Sequence, residues 1–336
     1  MQSSANPENE LLVGGQALIE GVMMRSPGAY GVAVRRPDGS LAFQRGTVSG
    51  LAKRFPILKL PVLRGVAVLF QSLALGIRSL NFSAEQAVAA AAVETTDDPA
   101  QVTGPQEPAK TSNWAIASSM VFGLGLGVVV FLLAPLWLTH LGEKYLFGGH
   151  LTNLGFNLLD GGLRAVFFLA YIWGISRMKD IHRVFQYHGA EHKVVFNYEK
   201  RLPLTVENAR AQSRLHPRCG TSFLLFVLLM SILVFALIPK TAPFLVKFGG
   251  RLLLVPAIAG LSYEVLRFTA KHRAAPLFAV LVAPGLALQR ITTQEPTDDM
   301  LEVAIAALEE ALREDGLLEP AKPRAAATVP LAASLP

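Results

Sequence analysis

Residues Trp114–Leu138 read WAIASSMVFGLGLGVVVFLLAPLWL, twenty-five positions without a formal charge and with Trp114 and Trp137 near the two ends. At about 1.5 Å of rise per residue, such a run matches the thickness of bilayer hydrocarbon, and tryptophan suits both interfaces. A surface helix of a soluble domain would carry one apolar stripe, whereas this stretch is apolar on every face. The sequence therefore describes a helix whose solvent is lipid.

Three further runs extend this pattern. Residues 158–176, 221–238 and 252–268 are long and apolar enough to be read as spans; the second span carries Asp160 and Arg164 at i,i+4, and the fourth carries Glu264. Residues 275–288 are shorter and interrupted by Pro284-Gly285, which suits a re-entrant or half-helix. In 55–84, Arg64 and Arg78 bracket about thirteen residues, too few to cross, so an interfacial or re-entrant helix is expected. Before these, 11–50 reads as a small β unit: Gly31–Arg35 and Leu41–Arg45 alternate apolar and polar residues around a Pro37-Asp38-Gly39 turn. Residues 296–316 form an amphipathic helix with Thr297 or Asp298 as N-cap. The linker 93–113, with Asp97-Asp98 and three prolines, and the ends 1–10 and 319–336 are expected to be disordered. The fold class is thus a predominantly α-helical multi-pass membrane protein. It has four transmembrane helices, two interfacial or re-entrant segments and a small cytosolic β unit near the N-terminus.

Composition agrees: of 336 residues, 51% are hydrophobic and 17% charged, with mean hydropathy +0.40. The net charge of +6 sits mainly beside hydrophobic runs without aromatic interleaving, so it points to a membrane surface and not to nucleic acid. Nine of the basic residues fall in 177–220, while the connections near 140–157 and 239–250 hold only Lys144, Lys240 and Lys247. Lys and Arg mark the cytoplasmic side, so both termini and 177–220 are expected in the cytosol of a bacterial cytoplasmic (inner) membrane. Met1–Glu10 lacks the basic and apolar regions of a cleaved signal peptide. Cys219 is the single cysteine, which excludes an internal disulfide.

The residues able to do chemistry gather in the central loop. If Tyr187-His-Gly-Ala-Glu-His-Lys193 is helical, His188 and His192 lie one turn apart on one face, the spacing at which two imidazoles share a metal ion. The string is H-x-x-E-H, the inverted zinc-protease pattern, and it casts Glu191 as general base for a water the metal activates. Further ligands are sought in His216 and Cys219, whose nitrogen and sulfur suit Zn²⁺, or in Glu264 some seventy residues on. The bland alternative is a polar helix of hydrogen-bonded histidines. Cys219 as a nucleophile beside His216 is the less favoured reading of that residue. Gln16 and Glu20, read one helical turn apart, are within reach of the same site, although backbone capping is the simpler role for them.

Four strings in order, Gly14–Arg25, Tyr187–Lys193, His216–Ser222 and Gln289–Pro296, resemble the YqhQ-like family of bacterial membrane proteins, a domain of unknown function. The resemblance spans roughly Leu11 to Leu312. It implies a metal-dependent enzyme and carries His188, Glu191, His192, His216 and Cys219 over as its site. Two functions then compete. One is a zinc hydrolase acting on a membrane lipid or transmembrane peptide; the other is a non-enzymatic factor, a scaffold or assistant in membrane-protein or envelope assembly, whose polar site binds a partner. Transport has thin support from one carboxylate within the spans.

Overall fold

The computed structural model describes residues 13–48, 55–94, 113–271 and 276–319. The disorder expected at 1–10, through most of 93–113 and from 320 onward falls outside the described residues. Strands β1 (Gly14–Leu18), β2 (Gly21–Arg25), β3 (Ala29–Arg35) and β4 (Leu41–Thr47) form an antiparallel meander in sequence order. The β3–β4 hairpin is the expected one, with Arg35 opposite Leu41 and Gly39 at φ +82° in the turn. The Gly-bounded segment read as helical is instead the β1–β2 hairpin, with Gln16 paired to Met23 and Glu20 in its turn at φ +51°. A guanidinium holds Glu20 there: Arg183 Nε and Nη2 donate to its two carboxylate oxygens, each at 2.5 Å.

Among the described residues, twelve helical pieces follow. After a 3-10 turn at Pro56–Lys59 come α1 (Leu63–Glu94), α2 (Asn113–Val128), a π-helical turn Val129–Leu133, and α3 (Ala134–Tyr145). The hydrogen-bond register changes just ahead of Pro135, which has no N–H to donate to the preceding turn. Then come α4 (Asn153–Ile175), α5 (Lys179–Glu199), α6 (Val206–Arg210), α7 (Gly220–Phe235), α8 (Phe244–Lys271), α9 (Pro276–Thr292) and α10 (Asp298–Glu314). Four helices among the described residues are long and apolar enough to cross a membrane: Leu63–Ala87, Ser118–Tyr145, Asn153–Ile175 and Phe244–Phe268. Three of these overlap the expected spans. The expected span 221–238 is a helix of 16 residues, and Pro284 does not break α9.

The largest difference is α1, a continuous helix of 32 residues where a short interrupted one was expected. Pro56 and Pro61 both precede it, and Arg64 in its first turn is neutralised by Glu264 of α8. Gly65 and Gly76 mark packing points: a β-carbon at Gly65 would meet Gly260 and Tyr263, and one at Gly76 the Gln16 amide. Leu75 and Phe82 then pack on the sheet face of Leu18, Met23, Tyr30, Val32 and Val34. The opposite side of the helix leaves Phe70, Leu73 and Leu80 exposed.

The other face of the sheet carries the larger core. Val22, Met24 and Ala33 pack with Tyr187, Ala190 and Val194 of α5 and with Met300, Leu301, Ala304, Ala307, Leu308 and Ala311 of α10. Strand periodicity puts Gly31 beside Ala33 on this face, and a β-carbon there would strike the Ala307 carbonyl and the Ala311 N–H. Neither backbone group can move without unwinding α10. Gly31→Val should therefore destabilise this unit by about 1–3 kcal/mol, the usual cost of overpacking, measured as the shift in a thermal melt of detergent-purified protein.

Within the apolar helices lies a polar cluster. Asp160 accepts from Arg164 Nη2 and from Arg251 Nη1, each at 2.6 Å; Arg164 also donates to Ser231 Oγ at 3.1 Å, and both guanidinium groups lie over the Phe235 ring. The expected i,i+4 pair is present, and Arg251 of α8 makes it a three-helix junction of α4, α7 and α8.

Candidate metal centre

The site is assembled from all four strings on one framework. Helix α5 presents His188, Glu191 and His192; the loop before α7 presents His216 and Cys219; and the segment after α9 closes over both. Gln289 fastens the loop: its Oε1 accepts from His216 N and its Nε2 donates to the His216 carbonyl, both at 2.8 Å. Cys219 is the N-cap of α7, its Sγ accepting from Thr221 N at 3.4 Å and from Thr221 Oγ1 at 3.3 Å.

His188 Nε2, His192 Nε2 and Cys219 Sγ converge. The three residues offer ligand atoms all within 4.8 Å of one another, and His188 Nε2 lies 3.1 Å from Sγ. The tautomers follow from the other ring nitrogens. His188 Nδ1 meets the Thr292 carbonyl at 2.7 Å and His192 Nδ1 meets the Arg214 carbonyl at 2.5 Å. A carbonyl only accepts, so each Nδ1 carries the proton and each Nε2 presents a lone pair. His192 Nε2 is buried with no hydrogen-bond partner, and burial holds the His192 pKa below the ordinary histidine value, with the Cys219 side chain opposing. A neutral imidazole fixed through its far nitrogen by a carbonyl, facing a second imidazole and a sulfur, is a donor set that could hold a metal ion.

Glu191 is buried, with Oε2 3.5 Å from His192 Nε2 and the Gly15 N–H directed to its carboxylate. Burial pushes its pKa up; His188, His216 and the Gly15 bond act the other way. A β-carbon at Gly15 would stand 2.9 Å from Glu191 Cγ, so the glycine is what lets β1 pass this close. Beside the cluster opens a cavity of about 400 Å³ lined by Gly15, His188, Glu191, His192, Cys219 and other residues.

His216 and Glu264 are not brought to the convergence. His216 Nδ1 accepts from Arg218 N at 3.2 Å, so its Nε2 is the donor to Glu199, also at 3.2 Å, and both nitrogens are engaged. Glu264 is taken by Arg64, whose Nε donates at 2.6 Å, and by Val62 N at 3.4 Å. Sequence reasoning assigned no role to Gln289, Glu199, Thr292 or Arg214. Gln289 and Thr292 lie in a string quoted for its resemblance, but backbone carbonyls leave no compositional trace.

No solved structure matches the chain. It is 39% identical over 310 residues, 91% of this chain and 94% of the relative, to the "Uncharacterized protein YqhQ" of Bacillus subtilis (strain 168). Residues 60–314 match the family model described as "Protein of unknown function (DUF1385)", and with both likenesses covering most of its length, the chain belongs to the DUF1385 family.

Proposed function

We propose that this protein is a metal-dependent enzyme of the bacterial cytoplasmic membrane, a zinc hydrolase whose substrate is membrane-associated. The observation that carries the reading is the convergence of two lone-pair nitrogens and one sulfur in a polar, largely buried pocket. His188, His192 and Cys219 would hold the ion. Three protein ligands beside an open cavity suit a catalytic site, since structural zinc sites are closed by four. When bound, Zn²⁺ supplies Lewis acidity to the water and to the scissile group. Glu191, with Oε2 3.5 Å from His192 Nε2, would take up the proton of an attacking water as general base, the Gly15 N–H steadies the carboxylate, and the Thr292 and Arg214 carbonyls keep both imidazoles in orientation.

In the membrane arrangement that fits these contacts, Ser118–Tyr145, Asn153–Ile175, the shorter apolar helix Gly220–Phe235 and Phe244–Phe268 cross, and this even number of passages leaves the sheet, α5 and α10 in the cytosol with both termini. The basic residues of 177–220 support that orientation. Helix α1 is long enough to cross, but its contacts with the sheet and its exposed Phe70, Leu73 and Leu80 favour a helix lying along the bilayer surface.

Metal analysis of detergent-purified protein tests the reading. One equivalent of zinc is expected in the native chain and in His216→Ala. His188→Ala, His192→Ala and Cys219→Ala should lose it with helicity retained. With cobalt in place of zinc, a thiolate charge-transfer band should appear and be missing from Cys219→Ala. A native chain that binds no metal overturns the site, and retention of full zinc by Cys219→Ala overturns the ligand set.

A further inference from the structure

A second cavity, of about 560 Å³, adjoins the first and shares Gly14, Gly15, Gln16 and Arg218 with it. Its far wall is Arg25 at the end of β2, and Ser72 and Leu75 of α1 also line it. Arg25 is half-buried, and among the described residues no carboxylate pairs with it and no acceptor bonds it. Burial holds its pKa below the ordinary arginine value, and the phenol of Tyr263 is the ionisable group that acts on it. Most of the other half-buried or buried arginines here have a named partner: Arg64 has Glu264, Arg164 and Arg251 share Asp160, and Arg218 has Glu199. A lone guanidinium facing a cavity of ligand size is complementary to an oxyanion, above all to a phosphate it can bond through two N–H groups.

The helix beside this cavity indicates where such an anion comes from. Ser72, Leu75 and Gly76 lie on one side of α1, toward the sheet and the cavity, while Phe70, Leu73 and Leu80 are exposed on the other. An apolar ridge above and an unpaired cation below form the two halves of an amphiphile's environment.

We infer that this cavity is the headgroup subsite of the enzyme, where Arg25 binds the phosphate of an anionic membrane lipid and presents the headgroup to the His188–His192–Cys219 centre through the shared wall at Gly14–Gln16. The inference rests on the reading of that centre as a metal site, and it narrows the membrane-associated substrate to a phosphate-bearing lipid.

Titration of short-chain phosphatidylglycerol into the detergent-purified full chain tests it, with short-chain phosphatidylcholine and free glycerol phosphate as comparators. Phosphatidylglycerol should bind at least about tenfold more tightly than either comparator. Arg25→Gln should weaken it about tenfold or more and Arg25→Lys less, while zinc content stays native in both. Ser72→Trp, which keeps Arg25 and fills the cavity wall from an exposed position, should weaken it similarly. Unchanged binding in Arg25→Gln, or glycerol phosphate binding as tightly as the lipid, overturns the inference and leaves the metal reading standing. His188→Ala should lose zinc and keep lipid binding, so failure of the metal site and failure of the headgroup subsite give different results.

Discussion

Asp160→Ala is expected to destabilise the helical region by about 3–5 kcal/mol, the largest effect of any single substitution considered for stability. Asp160 is 1% exposed, and its carboxylate is bonded to two buried guanidinium groups, Arg164 and Arg251, each at 2.6 Å. Removing it leaves two cations in an apolar setting with a serine, an asparagine and the face of Phe235 for company. Thermal unfolding in detergent, followed by circular dichroism and size-exclusion profile, measures the loss. A control separates charge from shape. Replacing all three residues by apolar ones of similar volume, as in Asp160→Leu with Arg164→Met and Arg251→Met, should restore much of the stability, because a whole buried ionic group exchanges for hydrophobic packing at little cost. Native stability in Asp160→Ala would mean that the arginines are balanced by something other than this carboxylate.

The second large effect concerns a residue that touches no metal ligand side chain. Gln289→Ala removes both bonds to the His216 backbone, taking the Oε1 acceptor from its buried N–H and leaving its carbonyl to the Cys219 N–H at 3.3 Å. Loss of the acceptor for a buried N–H costs about 1–3 kcal/mol. Cys219 sits three residues along the same loop, so its sulfur loses its fixed distance from His188 Nε2. Zinc affinity is expected to fall about 10- to 100-fold, the range typical of groups that orient ligands without binding the ion. Competition with a chelator of known strength reads this directly. Gln289→Glu keeps the acceptor for His216 N and loses the donor to the carbonyl, so it should fall between the native chain and Gln289→Ala. Equal zinc affinity in all three would show that the loop is held by other contacts.

Much of this was visible in the residues themselves. The apolar runs declared helices long enough for a bilayer, the Pro37-Asp38-Gly39 turn declared its hairpin, and the i,i+4 spacing of His188 and His192 put two imidazoles on one face. Periodicity and turn chemistry are local, so they survive in a linear reading. The failures were all nonlocal. Helix α1 looked interrupted because Arg64, Gly65 and Gly76 weaken an isolated helix, whereas Glu264, Gly260 and Gln16 accommodate each of them in the fold. Glu264 looked like a ligand because its distance along the chain matched a pattern, yet its charge answers Arg64. The β1–β2 hairpin was missed because Ile19-Glu20 is not a usual tight turn, and its positive φ is held by an ion pair to α5. The decisive orienting groups of the site, the carbonyls of Thr292 and Arg214, belong to the backbone and could be found only in three dimensions.

The shared core of β2, β3 and α10 has a consequence for how the molecule is made. Strand β3 ends at Arg35 and α10 begins at Asp298, so this side of the sheet, which α5 covers only in part, is not closed until α10 has left the ribosome. At a translation rate of roughly 5–20 residues per second, the interval is on the order of ten to fifty seconds. Throughout that time Val22, Met24 and Ala33 keep part of their apolar surface open while the intervening helices are being delivered to the bilayer. Newborn chains cut short before α10 would keep that surface permanently, and should be caught by holdases or proteases instead of accumulating as a stable membrane fragment.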